Sequence, residues 1–397
     1  MKRPVILTIF LLFITSIAFA VDFGILVNTK IENDNDIFSF NPGFTPWFSI
    51  YNGKGLSFYL SGLLSLNYTD DHSGNGSWDN PVSIVPELSR FTVSYRSGQG
   101  FIFEAGRTTY TDTLGITASG FFDGARMELH LREGNLSIGA FYTGLLYKET
   151  AKIRMTEGDI DNYHSSWNWE SFENYFAPKR FLTSLRWNIP IGQANEFSAE
   201  VLAQFDVTDN EKKINSQYTM IKAAFYPQNS FMVSSGFVFE TKQNENGEFF
   251  FALGALANLR IDLSTKVNSW LGITAKFTTG SSEEISKSFL PVNSVPQGMI
   301  FQDSISGLAL IGLDYNIKII NNLFADCAFR YFIRTYDAPL SDGNFYGGEL
   351  WASLAWQPLD DVRATFGAGA FFPGLGNAYP ADTAAMFKIS AGLILSL

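Results

Sequence analysis

The chain has 397 residues, a formal net charge of −11 and a single cysteine, Cys327. The acidic balance argues against nucleic acid as a partner, and one cysteine excludes both an internal disulfide framework and a multi-cysteine metal site. Aromatic residues make up 16% and charged residues 17% of the chain, against about 25% charged in ordinary soluble domains, so the composition carries an apolar, β-rich surplus.

The first twenty residues, MKRPVILTIFLLFITSIAFA, start with Lys2 and Arg3, continue as an apolar run and end in Ala18-Phe19-Ala20. A basic start, a short apolar run and a small-x-small end form the pattern of a secretory signal peptide cut before Val21. The run is shorter than the roughly 20 residues that cross a bilayer as a helix. The expected organisation is a signal peptide over 1–20 and one exported domain over 21–397.

Beyond residue 20 no 18-residue apolar run occurs, and the signal becomes alternation bounded by turn residues. Strands are expected at about 22–31, 44–52, 55–68, 87–96, 100–107, 120–131, 135–148, 179–189 and 196–207. A second set follows at about 216–227, 230–241, 248–260, 269–279, 305–317, 322–334, 345–357, 361–372 and 385–396. Most have at least the 9 to 11 residues of a tilted membrane-spanning strand. In 179–189, Phe181, Leu185, Trp187 and Ile189 oppose Ser184, Arg186 and Asn188. The last strand alternates Phe387, Ile389, Ala391, Leu393, Leu395 and Leu397 with Lys388, Ser390 and Ser396. An apolar face running to the carboxyl end is expected to meet lipid, with the strand pairing near Phe23–Lys30 to close a ring.

The connections sort by length. Short ones lie at 52–55, 97–100, 132–135, 227–229, 321–322 and 358–361, with tight-turn residues. Between them fall longer polar linkers at about 32–43, 69–86, 108–119, 149–178, 208–215, 242–247, 280–304, 335–344 and 373–384. One end of the molecule therefore carries turns and the other loops. This layout predicts an all-β fold, a transmembrane antiparallel up-and-down β-barrel of about eighteen strands, with sixteen as the alternative count, in the bacterial outer membrane.

The stretch FEAGRTTYTDTLGITASGFFDGARMEL at 103–129 resembles outer-membrane porins of the alginate-export type. There a Gly-Arg pair closes one strand and Phe-Asp-Gly-Ala-Arg opens the next. The resemblance implies that Arg107 and Arg126 face a pore. It also implies the barrel-assembly machinery as a partner, although Leu397 stands where that family ends in Phe or Trp.

With apolar faces turned outward, Arg90, Arg96, Arg126, Arg132, Arg186, Lys222, Arg260, Lys276, Arg330, Arg334, Arg363 and Lys388 fall on the inner face. The acids Glu104, Glu128, Glu200, Asp206, Glu240, Asp314, Asp326 and Glu349 fall there too. Bases then outnumber acids in the wall, the reverse of the whole chain. Such a lining selects anions, or else the charges pair across strands and brace the wall. The expected pore-lining set is Arg107, Arg126, Arg186, Arg330, Arg334, Arg363, Glu128, Glu200 and Asp326. The linker at 149–178 gathers Tyr163, Trp167, Trp169, Phe172 and Tyr175, expected to form a constriction or cap.

An enzyme is the competing class. His72, His130 and His164 carry no catalytic motif around them, and Asp34, Asp36, Asp70, Asp71, Asp159 and Asp161 read as a solvated acidic rim. No metal, cofactor or catalytic residue is expected. The leading function is passive diffusion of small polar solutes, anionic or saccharide-like ones among them. A plugged structural or adhesive surface barrel is the alternative, and a barrel hydrolase stands third.

Overall fold

The computed structural model describes residues 20–35, 37–71, 82–98, 100–156, 159, 167, 169, 171–208, 212–228, 230–244, 246–263, 267–282, 287–337, 343–380 and 382–397. The expected signal peptide over 1–20 lies outside them apart from Ala20. Eighteen strands alternate along the chain: β1 (Ala20–Asp34), β2 (Ile37–Tyr51), β3 (Leu56–Asp71), β4 (Val82–Arg96), β5 (Phe101–Thr111), β6 (Ser119–Leu131), β7 (Gly134–Tyr142), β8 (Arg180–Ile191) and β9 (Asn195–Asp206). They continue as β10 (Ile214–Gln228), β11 (Phe231–Asn244), β12 (Phe249–Leu263), β13 (Ser269–Thr278), β14 (Leu308–Ile320), β15 (Leu323–Arg334), β16 (Phe345–Leu359), β17 (Val362–Phe372) and β18 (Met386–Ser396).

Every strand pairs antiparallel with its chain neighbours, and β1 pairs with β18 from Leu26 opposite Ser396 to Asp34 opposite Lys388. The sheet therefore closes on itself, its first and last strands paired. The terminal alternation has its physical reason here: Phe387 and Ile389 are among the exposed large apolar residues of the outer face. So are Phe181, Leu185 and Trp187 on β8 and Phe237 and Phe239 on β11. Such an outer surface suits lipid, where a soluble protein would bury it.

Connections on the side where β1 begins are short, from 52–55 to 360–361, and the longest ones, 143–179 and 279–307, lie at the opposite end. The expected linker at 32–43 is a correction. β1 and β2 run to Asp34 and from Ile37, and Pro42 and Pro46 lie inside β2. Proline has no N–H for a ladder. Both prolines pair in register with β1, while the β2–β3 register skips the positions around them.

One place in the wall is incomplete. β4 pairs with β5 only over Phe91–Arg96, so its upper segment has no partner on that side. Pro86, which could not donate there, occupies that open edge. The gap is covered by the 143–179 connection, which contains a short helix α1 (Lys148–Ala151) and a 3-10 turn at Phe172–Tyr175. Tyr175 Oη donates to Pro86 O at 2.7 Å and Thr150 Oγ1 to Glu87 Oε2 at 2.9 Å.

Candidate functional site

The inner face of the barrel is partly filled by its own long connections. Asp112, just past β5, is buried, and its carboxylate accepts from the backbone N–H groups of Leu114, Gly115, Thr117 and Ala118 at 2.7 to 2.8 Å. This fixes 112–118 as a tight loop, and the loop reaches across to β11 and β12. A Cβ at Gly236 would lie 2.3 Å from Leu114 Cδ2, and one at Gly254 3.4 Å from Ile116 Cδ1. Glycine at both positions makes room for the loop tip.

The 279–307 connection also turns inward. Phe289, Val292, Ile300, Phe301 and Ile305 join Leu114 and Ile116 in one buried cluster with the wall residues Tyr218, Met220, Val238, Phe332 and Phe371. The 143–179 connection joins them, since Arg154 N–H donates to Val292 O and Ser294 N–H to Lys152 O. An apolar cluster thus narrows the lumen at its loop end.

Three wall glutamates hold these loops. Glu200 accepts from Thr113 N–H at 2.7 Å and from Tyr110 Oη at 2.6 Å. Glu240 accepts from Leu290 N–H at 2.9 Å. Glu349 accepts from the N–H groups of Met299, Ile300 and Phe301 at 2.8 to 2.9 Å. All three carboxylates are buried, and charged acceptors of this kind make the stronger class of hydrogen bond.

Of the expected pore-lining residues, Arg126 meets Glu104 at 2.7 Å and Arg186 meets Glu200 at 2.9 Å. Arg330 lies 3.6 Å from both Asp314 and Glu349. Arg334 rests over the rings of Tyr346 and Tyr336, 4.8 and 5.6 Å from their centroids. Glu128 lies 3.5 Å from His130. Asp326 is exposed, hydrogen-bonded by Asn316 and by Ser353, and Arg363 is exposed near the short-turn end. Arg90, Lys222, Lys276 and Arg363 make no ion pair among the described residues.

Arg107 departs from its expected place. It pairs in register with the exposed Phe91, on the outward alternate of β5, yet it is itself 5% exposed. Its guanidinium meets both oxygens of Asp123 at 2.8 Å, Leu145 O at 2.9 Å and Leu88 O on the open edge of β4. It joins strands at the gap, which accounts physically for the Gly-Arg and Phe-Asp-Gly stretch without a pore.

The aromatic set at 149–178 also differs in detail. Tyr163 lies outside the described residues. Phe172 stacks on Tyr175 at 5.6 Å and Trp167 meets Trp169 at 5.1 Å and Tyr175 at 5.6 Å. Tyr175 ties this group to the β4 edge, while Trp169 and Phe172 remain exposed. The loop tips that enter the lumen are instead those of 112–118 and 279–307. Their signal was present as apolar residues inside a long polar connection: Phe289, Leu290, Val292, Ile300 and Phe301. Asp159, read above as a solvated rim acid, is fully buried against Arg180, which also meets Asp206 at 2.8 Å. His72, His164, Asp36 and Asp161 lie outside the described residues, as does the side chain of Asp71. Among the described residues, no group of three or more His, Cys, Asp or Glu side chains is placed to hold a metal ion.

At the mouth, Asp303, Arg154, Tyr336 and Tyr346 surround a polar cavity of about 250 Å³. Partial burial raises the Asp303 pKa, against the opposing pull of Arg334 and Arg154. Burial lowers that of Arg154, with Asp303 opposing it.

No protein-family model and no curated protein sequence matches the chain. Solved structures do. Pseudomonas aeruginosa OccK5 (OpdH) aligns with a TM-score of 0.60 at 11% identity, covering 95% of this chain and 98% of that one. The outer membrane protein OpdK of the same organism aligns at 0.59 and 8%, covering 95% and 99%. OccK2 (OpdF), solved in complex with glucuronate, aligns at 0.59 and 10%, covering 95% and 98%. These matches do not support the alginate-export subtype. The likeness is one of fold: the chain shares the closed eighteen-stranded antiparallel barrel of these outer-membrane proteins, and its apolar outer face suits the bacterial outer membrane.

Proposed function

We infer that the protein is an outer-membrane diffusion channel for small polar solutes, favouring anionic and saccharide-like ones. The observation that carries this reading is the unequal fate of wall charges. Glu200, Glu240 and Glu349 are buried against loop backbone and paired with Arg186, Lys242 and Arg330, whereas the bases Arg90, Lys222, Lys276 and Arg363 make no ion pair among the described residues and outnumber the exposed acid Asp326, which likewise has none. Bases left facing a confined aqueous passage raise the local concentration of anions, more so at low salt. The fold likeness to porins supports the channel itself.

The test is the reversal potential in planar bilayers under a salt gradient. Anion preference is expected, and replacing Arg126, Arg330 and Arg334 together by Gln should shift it toward cations by leaving Glu104 and Asp314 unpaired. An unchanged reversal potential in the triple variant would mean that these arginines only brace the wall. The second reading, a plugged barrel, draws on the buried apolar cluster inside the lumen. Absence of any ion current from correctly folded protein would favour it.

A further inference from the structure

The seam left open between β4 and β5 lies at the depth of lipid. Val82, Ile84 and Leu88 on the unpaired segment of β4 are exposed apolar residues. Leu64 on β3, opposite Pro86, and Phe181 on β8 are exposed as well, so the apolar outer face runs on both sides of the seam. The seam exists because β5 and β6 carry Tyr110 and Phe122 into the buried cluster inside the lumen, and the pair of Phe91 with Arg107 is the last that β4 makes with β5. Above that pair the 143–179 connection stands in for a strand.

The fastening of that stand-in is slight by the standard of a ladder. Tyr175 Oη donates to Pro86 O and Thr150 Oγ1 to Glu87 Oε2, and Arg107 rivets the lower end by bonding both Leu88 O and Leu145 O. No backbone hydrogen bond joins the connection to 82–90 among the described residues. The edge itself is blunted, because Pro86 has no N–H to be stranded in lipid when the connection lifts. Behind the connection, Leu146, Ile153 and Ala177 are buried in one cluster with Tyr110, Phe122 and Phe141. A path past the seam therefore runs from lipid into apolar side chains. A polar solute would be penalised at both stages, whereas a molecule with an apolar body would not.

We propose that this seam is a lateral port, through which a small apolar or single-chain amphipathic molecule passes between the surrounding lipid and the inside of the barrel when the 143–179 connection lifts from the β4 edge. The ladder from Phe91 to Arg96 stays paired with β5 as it opens, so the barrel is not taken apart. This route is separate from the axial passage for polar solutes and does not rest on it.

Buried thiols in the full-length protein, reconstituted in phosphatidylcholine nanodiscs, test the port. In a C327S background, which removes the exposed native cysteine, A177C places a thiol behind the seam and A252C one on β12 across the barrel; both alanines are buried. N-dodecylmaleimide reads access from lipid, and a sulfonated maleimide reads access from water. N-dodecylmaleimide should label A177C at least about tenfold faster than A252C, because only the first thiol is freed by local opening at the seam. T150V/Y175F removes both side-chain hydrogen bonds to β4, and two bonds of ordinary strength correspond to roughly a tenfold to hundredfold shift in the opening equilibrium. The N-dodecylmaleimide rate should rise by that factor at A177C and stay constant at A252C. Heat-modifiable migration checks that each variant folds; if T150V/Y175F does not, T150V and Y175F taken singly carry the comparison. Equal labelling of A177C and A252C by N-dodecylmaleimide, faster labelling of A177C by the sulfonated reagent, or a rate at A177C unchanged in the folded variants would overturn the proposal. Bilayer current is read separately, so failure of the channel and failure of the port are distinguishable.

Discussion

Replacing Asp112 by alanine should widen the passage. The carboxylate holds four backbone N–H groups of the 112–118 loop, and of these Gly115 alone has a second acceptor, Asp112 O at 3.1 Å. Leu114, Thr117 and Ala118 would lose theirs, at about 1 to 3 kcal/mol for each buried donor left unsatisfied. Water entering from the lumen relieves part of this, so the lower end, about 3 kcal/mol in total, is the working figure. At 1.4 kcal/mol per factor of ten, that shifts the loop about a hundredfold toward open conformers. Opposing it, Leu114 and Ile116 are 6% and 7% exposed against β11 and β12, each worth about 1.5 to 3 kcal/mol of burial. The loop should therefore fluctuate rather than leave permanently. Single-channel recordings should show a larger mean conductance with added flicker, and D112N, which keeps one acceptor oxygen, should fall between. Identical conductance and noise in folded D112A would refute the assignment of 112–118 as a constricting element.

Arg107→Ala leaves Asp123 without its buried partner and frees the β4 edge at Leu88, so a loss of about 3 to 5 kcal/mol is expected; the urea midpoint in detergent measures it, and a change under 1 kcal/mol would contradict the seam role. Deleting residues 386–397 removes β18, which bonds both β1 and β17. Each unsatisfied backbone group in lipid costs several kcal/mol, so the truncated chain should fail to show heat-modifiable folding.

The barrel was legible because a strand with one face in lipid must alternate through its whole length, as β8 and β18 do. Legibility failed where the backbone followed pairing against local signals. Asn41-Pro42-Gly43 carries turn chemistry, yet β2 continues through it because β1 supplies an unbroken partner. The site was harder to read than the wall. Which loops enter a lumen depends on contacts made far apart in sequence, such as Thr113 with Glu200 or Phe301 with Glu349. Period-two patterning carries no record of those contacts. Arg107 illustrates the limit from the other side: its place beside Phe91 follows from register with β4, and a projection of β5 alone cannot say what covers an outward arginine.

The same long-range contacts tie the charge of the passage to its width. A wall glutamate that accepts loop N–H groups does two things at once: it fixes a constricting segment and withdraws its own negative charge from the water. Glu349 shows the coupling most directly, since it holds Met299, Ile300 and Phe301 while lying 3.6 Å from Arg330. If the 299–301 segment were to swing away, the carboxylate would be exposed to the lumen and free to pair more closely with Arg330, so the opened passage would also be less basic. Selectivity and bore are thus expected to change together in this barrel. Glu349→Gln separates them in part, because it weakens the hold on the loop without adding charge when the loop leaves. Its conductance should rise while anion preference is kept or strengthened. A Gln variant that conducts more but loses anion preference would break the link drawn here between the buried glutamates and the basic character of the wall.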